Sequence, residues 1–398
     1  MRRRSSRNSL PRPAGRQITT LTVYCAYIRQ RAIAALSALT LCGILIAGLW
    51  PFHSPDNQVR WLRSENGLRF GDHGTILSSG YLEVAGSDGP SCSLEIWLEP
   101  AVDWKSGTVL AFYSRLNPGQ FSMRQSLTDL ELRREIVDQG HQANPVKFYV
   151  DDIFRKGHVF VTVTSNGQDT AVYVDGRLVK TSSRFGLSIN DLNGQLIGAN
   201  SPLQHSSWSG RLRGLAIYRS ELNAAQVAQH YEDWIQIGKP TATENERALA
   251  LYLFDEHTGR TVHNRVRSGN DLYIPGRYIV VHQVLLEPPW KEFRARWSYL
   301  KDVSINIAGF VPLGFFFYGY FRSARRIRRA ALATAILGLM VSLTIEVLQA
   351  YLPTRNSGMT DVITNTLGTC VGVMLNRAAA LAPEPLITAK SWAGVLPR

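Results

Sequence analysis

The sequence is poor in the residues that a metalloenzyme or a disulfide-stapled secreted module needs. It has 4 cysteines in 398 residues, Cys25, Cys42, Cys92 and Cys370, and no pair has the C-x-x-C spacing of a metal site. Cys42 and Cys370 fall in apolar runs and Cys25 just before one, so Cys92 stands alone in the polar middle of the chain and no disulfide can form there. His141, His158, His205, His230, His257, His263 and His282 are dispersed through that middle part as structural histidines are, with no clustered metal set. Acidic residues are missing altogether from residues 1–31. These absences leave no catalytic residue and no metal ligand to name.

What is present is apolar and basic. The apolar share is 45% and the net charge +13. The excess lies in short arginine clusters beside apolar runs, which favours a membrane over nucleic acid as the partner. Residues 1–31 carry eight arginines and are expected to be a basic cytoplasmic N-terminus; residues 32–52 follow as a first transmembrane helix, an uncleaved anchor ending in Trp50 and Phe52 at the outer interface. Residues 57–280 change to short alternating strands, with Asn166-Gly167 and Asp175-Gly176 at tight turns, and predict an extracytoplasmic all-β sandwich. One helix is expected at Asn223 to Trp234, with Val227 and Tyr231 on one face.

Residues 281–301 are a juxtamembrane linker and 302–382 three further helices, spanning Asp302 to Phe321, Ala330 to Tyr351 and Val362 to about Leu381; residues 383–398 form a cytoplasmic tail. The fold class is therefore multi-domain, an α-helical transmembrane bundle of about four helices with an inserted jelly-roll sandwich. Arg322, Arg325, Arg326, Arg328 and Arg329 mark the cytoplasmic side. Lys291, Arg294, Arg296 and Lys301 are discordant, since they fall on the outer side, where lipid headgroups could receive them.

Within the bundle one pattern occurs twice. DVSINIAG at Asp302 is matched by DVITNTLG at Asp361, so Asp302, Asn306 and Gly309 stand in register with Asp361, Asn365 and Gly368. Each copy puts a carboxylate and an amide four residues apart, on one helix face. Glu346 and Gln349 close the helix between, and Arg355 lies on the turn after it. Polar groups on apolar helices should face the bundle interior, either to glue helices together or to form a site. Three carboxylates without a cation repel, which makes Arg355 the expected partner for at least one. Gly309, Gly314, Gly368 and Gly372 are the expected close-packing positions. The expected result is an outer-leaflet recess of Asp302, Asn306, Glu346, Gln349, Arg355, Asp361 and Asn365.

Two resemblances follow from these residues. YVDGRLV, QLIGAN and WSGRLRGLAIYRSELNAAQVAQHYEDW, within Asn66 to about Trp234, resemble the second half of a laminin-G-like, concanavalin-A-type jelly roll. That resemblance implies a sandwich of a kind that often binds glycans, sometimes through calcium. The strand pair at Leu251 to Pro275 resembles the pair that usually begins such domains, yet here it comes last. The E-x-D-x-x-E run of the fold's glucanases is absent; Glu95 and Glu99 are expected as exposed strand residues. Asp151-Asp152 and Asn190-Asp191 could hold calcium but fit turns as well, and Trp208 could stack on a sugar or sit in the core. The second resemblance is to the VanZ-like family of small bacterial membrane proteins, named after a teicoplanin-resistance protein. It is carried by Asp302, Asn306, Gly309, Phe310, Pro312, Leu313 and Gly314, by Glu346 and Gln349, and by Arg355, Asp361, Asn365 and Gly368.

The expected function is that of a bacterial cell-envelope protein in the plasma membrane, multi-pass, with both termini cytoplasmic. Its sandwich would bind an envelope glycan or polysaccharide, while its recess would engage membrane lipid or a glycopeptide-type ligand. No cofactor is expected; calcium in the sandwich is the one alternative to that reading. The alternative is a membrane enzyme acting on a lipid-linked sugar through Glu346, Asp361 and Arg355. The oligomeric state stays open.

Overall fold

Strand alternation in the middle of the chain and long apolar runs at its ends separate two bodies. The computed structural model describes residues 15–82, 89–135, 137–138, 141–142, 145–202, 207–241, 246–267, 269–293, 296–323 and 327–381. One unit holds the chain up to Phe52, Val284–Tyr351 and from Arg355 onward; the other is His53–Gln283 with Leu352–Thr354.

The second unit is an antiparallel sandwich. One sheet runs in the order Val59–Trp61, Leu68–Phe70, Gly210–Tyr218, Cys92–Pro100, Val159–Ser165, Thr170–Val174 and Arg177–Ser182, with Ala248–Tyr252 also paired to Gly210–Tyr218. The other runs Val146–Val150, Asp129–Arg134, Phe121–Ser126, Gly107–Tyr113, Gly194–Gly198, Ile76–Leu82, Leu272–Tyr273 and Thr261–Val262. Leu94, Ile96, Leu98, Val161, Val163 and Leu215 from the first sheet meet Leu110, Phe112, Phe121, Met123 and Leu196 from the second in a single core. The segment that comes last in sequence closes both sheets: Ala248–Tyr252 joins the first, and the Thr261–Val262 and Leu272–Tyr273 pair joins the second through Ile76–Leu82. A late segment can do this because the ends of such a domain lie close together.

Part of the outer face of the first sheet is covered. A first helix, α1, is Gly15–Leu49 in the other unit, and the second, α2, is Ala224–Ile237. Asn223 caps α2, its side chain accepting from the backbone of Ala225 and Gln226 while Gln226 returns a bond to the Asn223 backbone, and Gly238 ends it in the left-handed conformation (φ 72°). Val227 and Trp234 of α2 pack with Phe160, Tyr173, Ala216 and Tyr218 of the sheet. Strand Cys92–Pro100 is consequently buried on both faces through most of its length.

The membrane unit contains α1, a single-turn α3 (Pro289–Glu292), α4 (Trp297–Ser323), α5 (Ala330–Gln349) and α6 (Met359–Leu381). Among the described residues, three helices are long and apolar enough to cross a bilayer: Tyr27–Leu49 within α1, α4 and α5. The fourth expected span is a helix of 23 residues, but Thr360, Thr364, Asn365, Thr366 and Thr369 dilute its apolar character. Two boundaries also differ, for the first helix reaches back to Gly15 and α4 begins at Trp297, ahead of Asp302.

Candidate functional site

Small residues bring the helices together at the site. A Cβ built at Gly368 would overlap the carbonyl of Ile307, one at Gly372 that of Val311, and one at Gly314 that of Thr369, so α4 and α6 touch backbone to backbone. Gly338 of α5 admits the Thr369 side chain in the same way. Gly309 differs from its expected role, since a Cβ there meets nothing within 4 Å.

This packing fixes which polar groups meet. Asn306 of α4 donates to Asp361 Oδ1 on α6 (2.7 Å). Asn365, one turn further along α6, donates to Ser342 Oγ on α5 (2.9 Å). Gly338 lies level with Thr369 and Ser342 with Asn365, so the antiparallel register puts Glu346 level with Asp361. Glu346 is buried, and its Oε2 accepts from the backbone of Gly358 (2.9 Å). Gln349 donates to the carbonyl of Gly48 in α1 (2.7 Å), tying the anchor helix to the same end of the bundle.

Two recess residues differ from expectation. Arg355 donates to the carbonyl of Trp50, and among the described residues no ion pair links it to a carboxylate. The arrival of the end of α1 supplies a backbone acceptor that charge counting overlooks. Asp302 lies exposed on α4, one turn before Asn306. A residue outside the motifs takes a place instead: Glu292 of α3 accepts from the backbone of Thr360 (3.0 Å), capping the first turn of α6. It sits in the linker, where a carboxylate carries no periodic signal.

The sandwich holds a second polar cluster. Glu95, expected as an exposed strand residue, is fully buried. It faces His230 Nδ1 (2.8 Å) and accepts from Tyr218 Oη (2.9 Å) and Trp234 Nε1 (3.1 Å), while His230 Nε2 faces Glu246 Oε2 (3.3 Å). Burial opposes the charged imidazole, but the two carboxylates outweigh it and hold the pKa of His230 above its usual value. The cluster is buried beneath α2, where it clamps that helix to the sheet.

On the sandwich surface, Trp208 is in the core, its indole donating to Gln125 Oε1 (2.8 Å), whereas Trp104 on the loop after Cys92–Pro100 is 71% exposed. The outer face of the second sheet carries a pocket lined by Phe121, Ser122, Arg124, Arg133, Glu135 and Ser201. Arg133 pairs with Glu135 (2.7 Å), and the buried Arg124 Nε has no partner among the described residues. Glu99 lies near Arg211 and Arg213. Asp151 pairs with Lys180, Asp152 with Arg155, and Asp191 with Arg134 while closing the cap of a short 3-10 turn.

Comparison with known proteins adds the family context. Residues 249–380 match the VanZ/LLP1 family model, and residues 73–228 match a model described as the concanavalin A-like lectin/glucanases superfamily. The two resemblances carried by the motifs are thus met by family models, each over less than half the chain. No curated protein matches. Among solved structures, the botulinum neurotoxin serotype D binding domain is similar at 15% identity and TM-score 0.35, over 46% of this chain and 46% of that one. A heptameric SAP-like pentraxin from Limulus polyphemus is similar at 14% identity and TM-score 0.32, over 55% of this chain and 93% of that one. The alignment thus spans under half the length of that neurotoxin chain.

Proposed function

We propose that this chain is a binding protein of the bacterial cell envelope, set in the plasma membrane with both termini cytoplasmic. Its sandwich lies outside and binds an envelope glycan or polysaccharide, and its recess engages a lipid or a glycopeptide-type ligand. One observation carries the reading: Asn306, Glu346, Asp361 and Asn365 meet in two adjacent layers at one end of apolar helices. Polar groups are costly there unless they serve a purpose. The basic clusters at the start of the chain and after α4 support the orientation. For the sandwich, exposed Trp104 offers a flat apolar surface to a sugar, and Arg124, Arg133 and Glu135 offer hydrogen bonds. The enzymatic alternative has less support, because Arg355, its phosphate holder, is engaged with Trp50.

The test uses full-length protein in nanodiscs on a glycan array, with and without calcium. Selective, saturable binding that falls in Trp104→Ala is expected; indifference to every envelope glycan would remove the glycan half of the proposal. For the recess, cells expressing wild type and Asp361→Asn at equal levels are compared for glycopeptide susceptibility. Equal susceptibility to that of cells lacking the protein would remove the glycopeptide role.

A further inference from the structure

The recess has more hydrogen-bond acceptors than donors. Glu346 Oε2, Asp361 Oδ1 and Glu292 Oε2 each take one donor, from Gly358, Asn306 and Thr360 respectively. Among the described residues nothing donates to the second oxygen of any of the three, and no cationic side chain pairs with them. Beneath them Asn365, only 5% exposed, has its Oδ1 buried and, among the described residues, without a partner. The Thr360 hydroxyl, in the first turn of α6, is likewise buried and unpartnered.

The register sets the spacing of these groups. Glu346 and Asp361 form one layer; Ser342 and Asn365 form the next, four residues along each helix. Four residues of helix rise about 6 Å. A donor lying between the layers, with hydrogen bonds of about 2.8 Å to each, spans that gap. A primary ammonium has three N–H donors and a positive charge, which answers both the acceptors and the surplus of negative charge. A phosphate would meet three carboxylates and be repelled.

The surroundings indicate where such an ammonium comes from. Trp50, Trp290, Trp297 and Tyr351, at the helix ends and in α3, are all strongly exposed, as side chains at a bilayer interface are. Lys291 and Lys301, two of the four basic residues that contradict the positive-inside pattern, each directly precede an acidic residue, Glu292 and Asp302. We propose that the recess binds the primary ammonium of a zwitterionic phospholipid headgroup, phosphatidylethanolamine in chemistry, whose phosphate rests on Lys291 and Lys301. This rests on the reading of the recess as a ligand site, and it explains those lysines.

Full-length protein is reconstituted in membranes of equal parts phosphatidylethanolamine, phosphatidylcholine and phosphatidylglycerol, released into detergent, and its retained phospholipid counted by native mass spectrometry. The expected result is roughly ten-fold enrichment of phosphatidylethanolamine over phosphatidylcholine, whose quaternary ammonium has no N–H. Glu346→Gln keeps an acceptor for Gly358 and should lose the enrichment, as should Asp361→Asn, while Gly309→Ala keeps it. Thermal melting of each variant separates lost binding from lost folding. Lys291→Gln with Lys301→Gln, outside the buried recess, provides a second readout and should lower the enrichment several-fold. Equal retention of phosphatidylcholine, or enrichment of phosphatidylglycerol, overturns the ammonium proposal while leaving a lipid site in place. No retained phospholipid of any class overturns the lipid site itself.

Discussion

Glu95→Gln isolates the charge of the buried cluster while keeping its shape. The glutamine oxygen can still accept from Tyr218 and Trp234, so what disappears is the negative charge 2.8 Å from His230 Nδ1. Removing one partner of a buried ion pair costs about 3–5 kcal/mol when nothing replaces it. Two of the three hydrogen bonds survive here and Glu246 still faces Nε2, so the expected loss is about 2 kcal/mol. The pH dependence has a definite sign. His230 has a raised pKa in the fold, so the stability its charge contributes is fully present below the unfolded value and is lost as pH rises through the folded value. The penalty should therefore be about 2 kcal/mol near about pH 6 and less than about 1 kcal/mol near about pH 9. Urea unfolding of the full chain in detergent, followed by tryptophan fluorescence, reads it, since Trp234 reports from within the cluster. An equal penalty at both pH values, or one below about 0.5 kcal/mol at the lower, would refute the ion-pair reasoning.

Three further outcomes follow from the geometry. Gly372→Leu drives a side chain into the α4 backbone at Val311 and should cost at least about 3 kcal/mol, seen as a lower melting temperature, whereas Gly309→Ala should stay within about 0.5 kcal/mol of wild type. Trp104→Ala should leave melting unchanged and weaken glycan binding roughly ten-fold on the array. Asn306→Asp sets a second carboxylate against Asp361 and should destabilise the bundle by about 1–3 kcal/mol; adding Asp361→Asn, which restores an acid–amide pair, should recover most of that loss in the same melt.

The parts of the fold that the sequence reveals are those governed by local periodicity. Strand alternation predicts the sandwich, and the helix expected from Asn223 begins at Ala224. What alternation cannot show is which face another element covers. In Ser93-Leu94-Glu95-Ile96-Trp97-Leu98-Glu99 the odd positions look solvated, but α2, more than a hundred residues later, lies over part of them. Glu95 is thereby buried while Glu99, beyond the helix, stays near Arg211 and Arg213. A signal was available on the other side, since His230 and Trp234 fall four residues apart on α2 and both needed a polar partner beneath.

The repeated acid–amide motif shows the same limit within the bundle. Its two copies suggest equivalent roles, but helix packing makes them unequal. Along α4 and α6, Ile307 lies against Gly368, Val311 against Gly372, Gly314 against Thr369 and Phe315 against Asn376, so the two helices run parallel. The two copies do not pair acid with acid. Instead the amide of the first copy, Asn306, reaches the acid of the second, Asp361, while the amide of the second turns to Ser342 on α5. Asp302 is then left on the exposed side of α4, and Arg355 is held by Trp50 instead of by a carboxylate. Spacing along one helix identifies the polar groups, but only the packing between helices decides which carboxylates remain without a donor, and so where a ligand cation could sit.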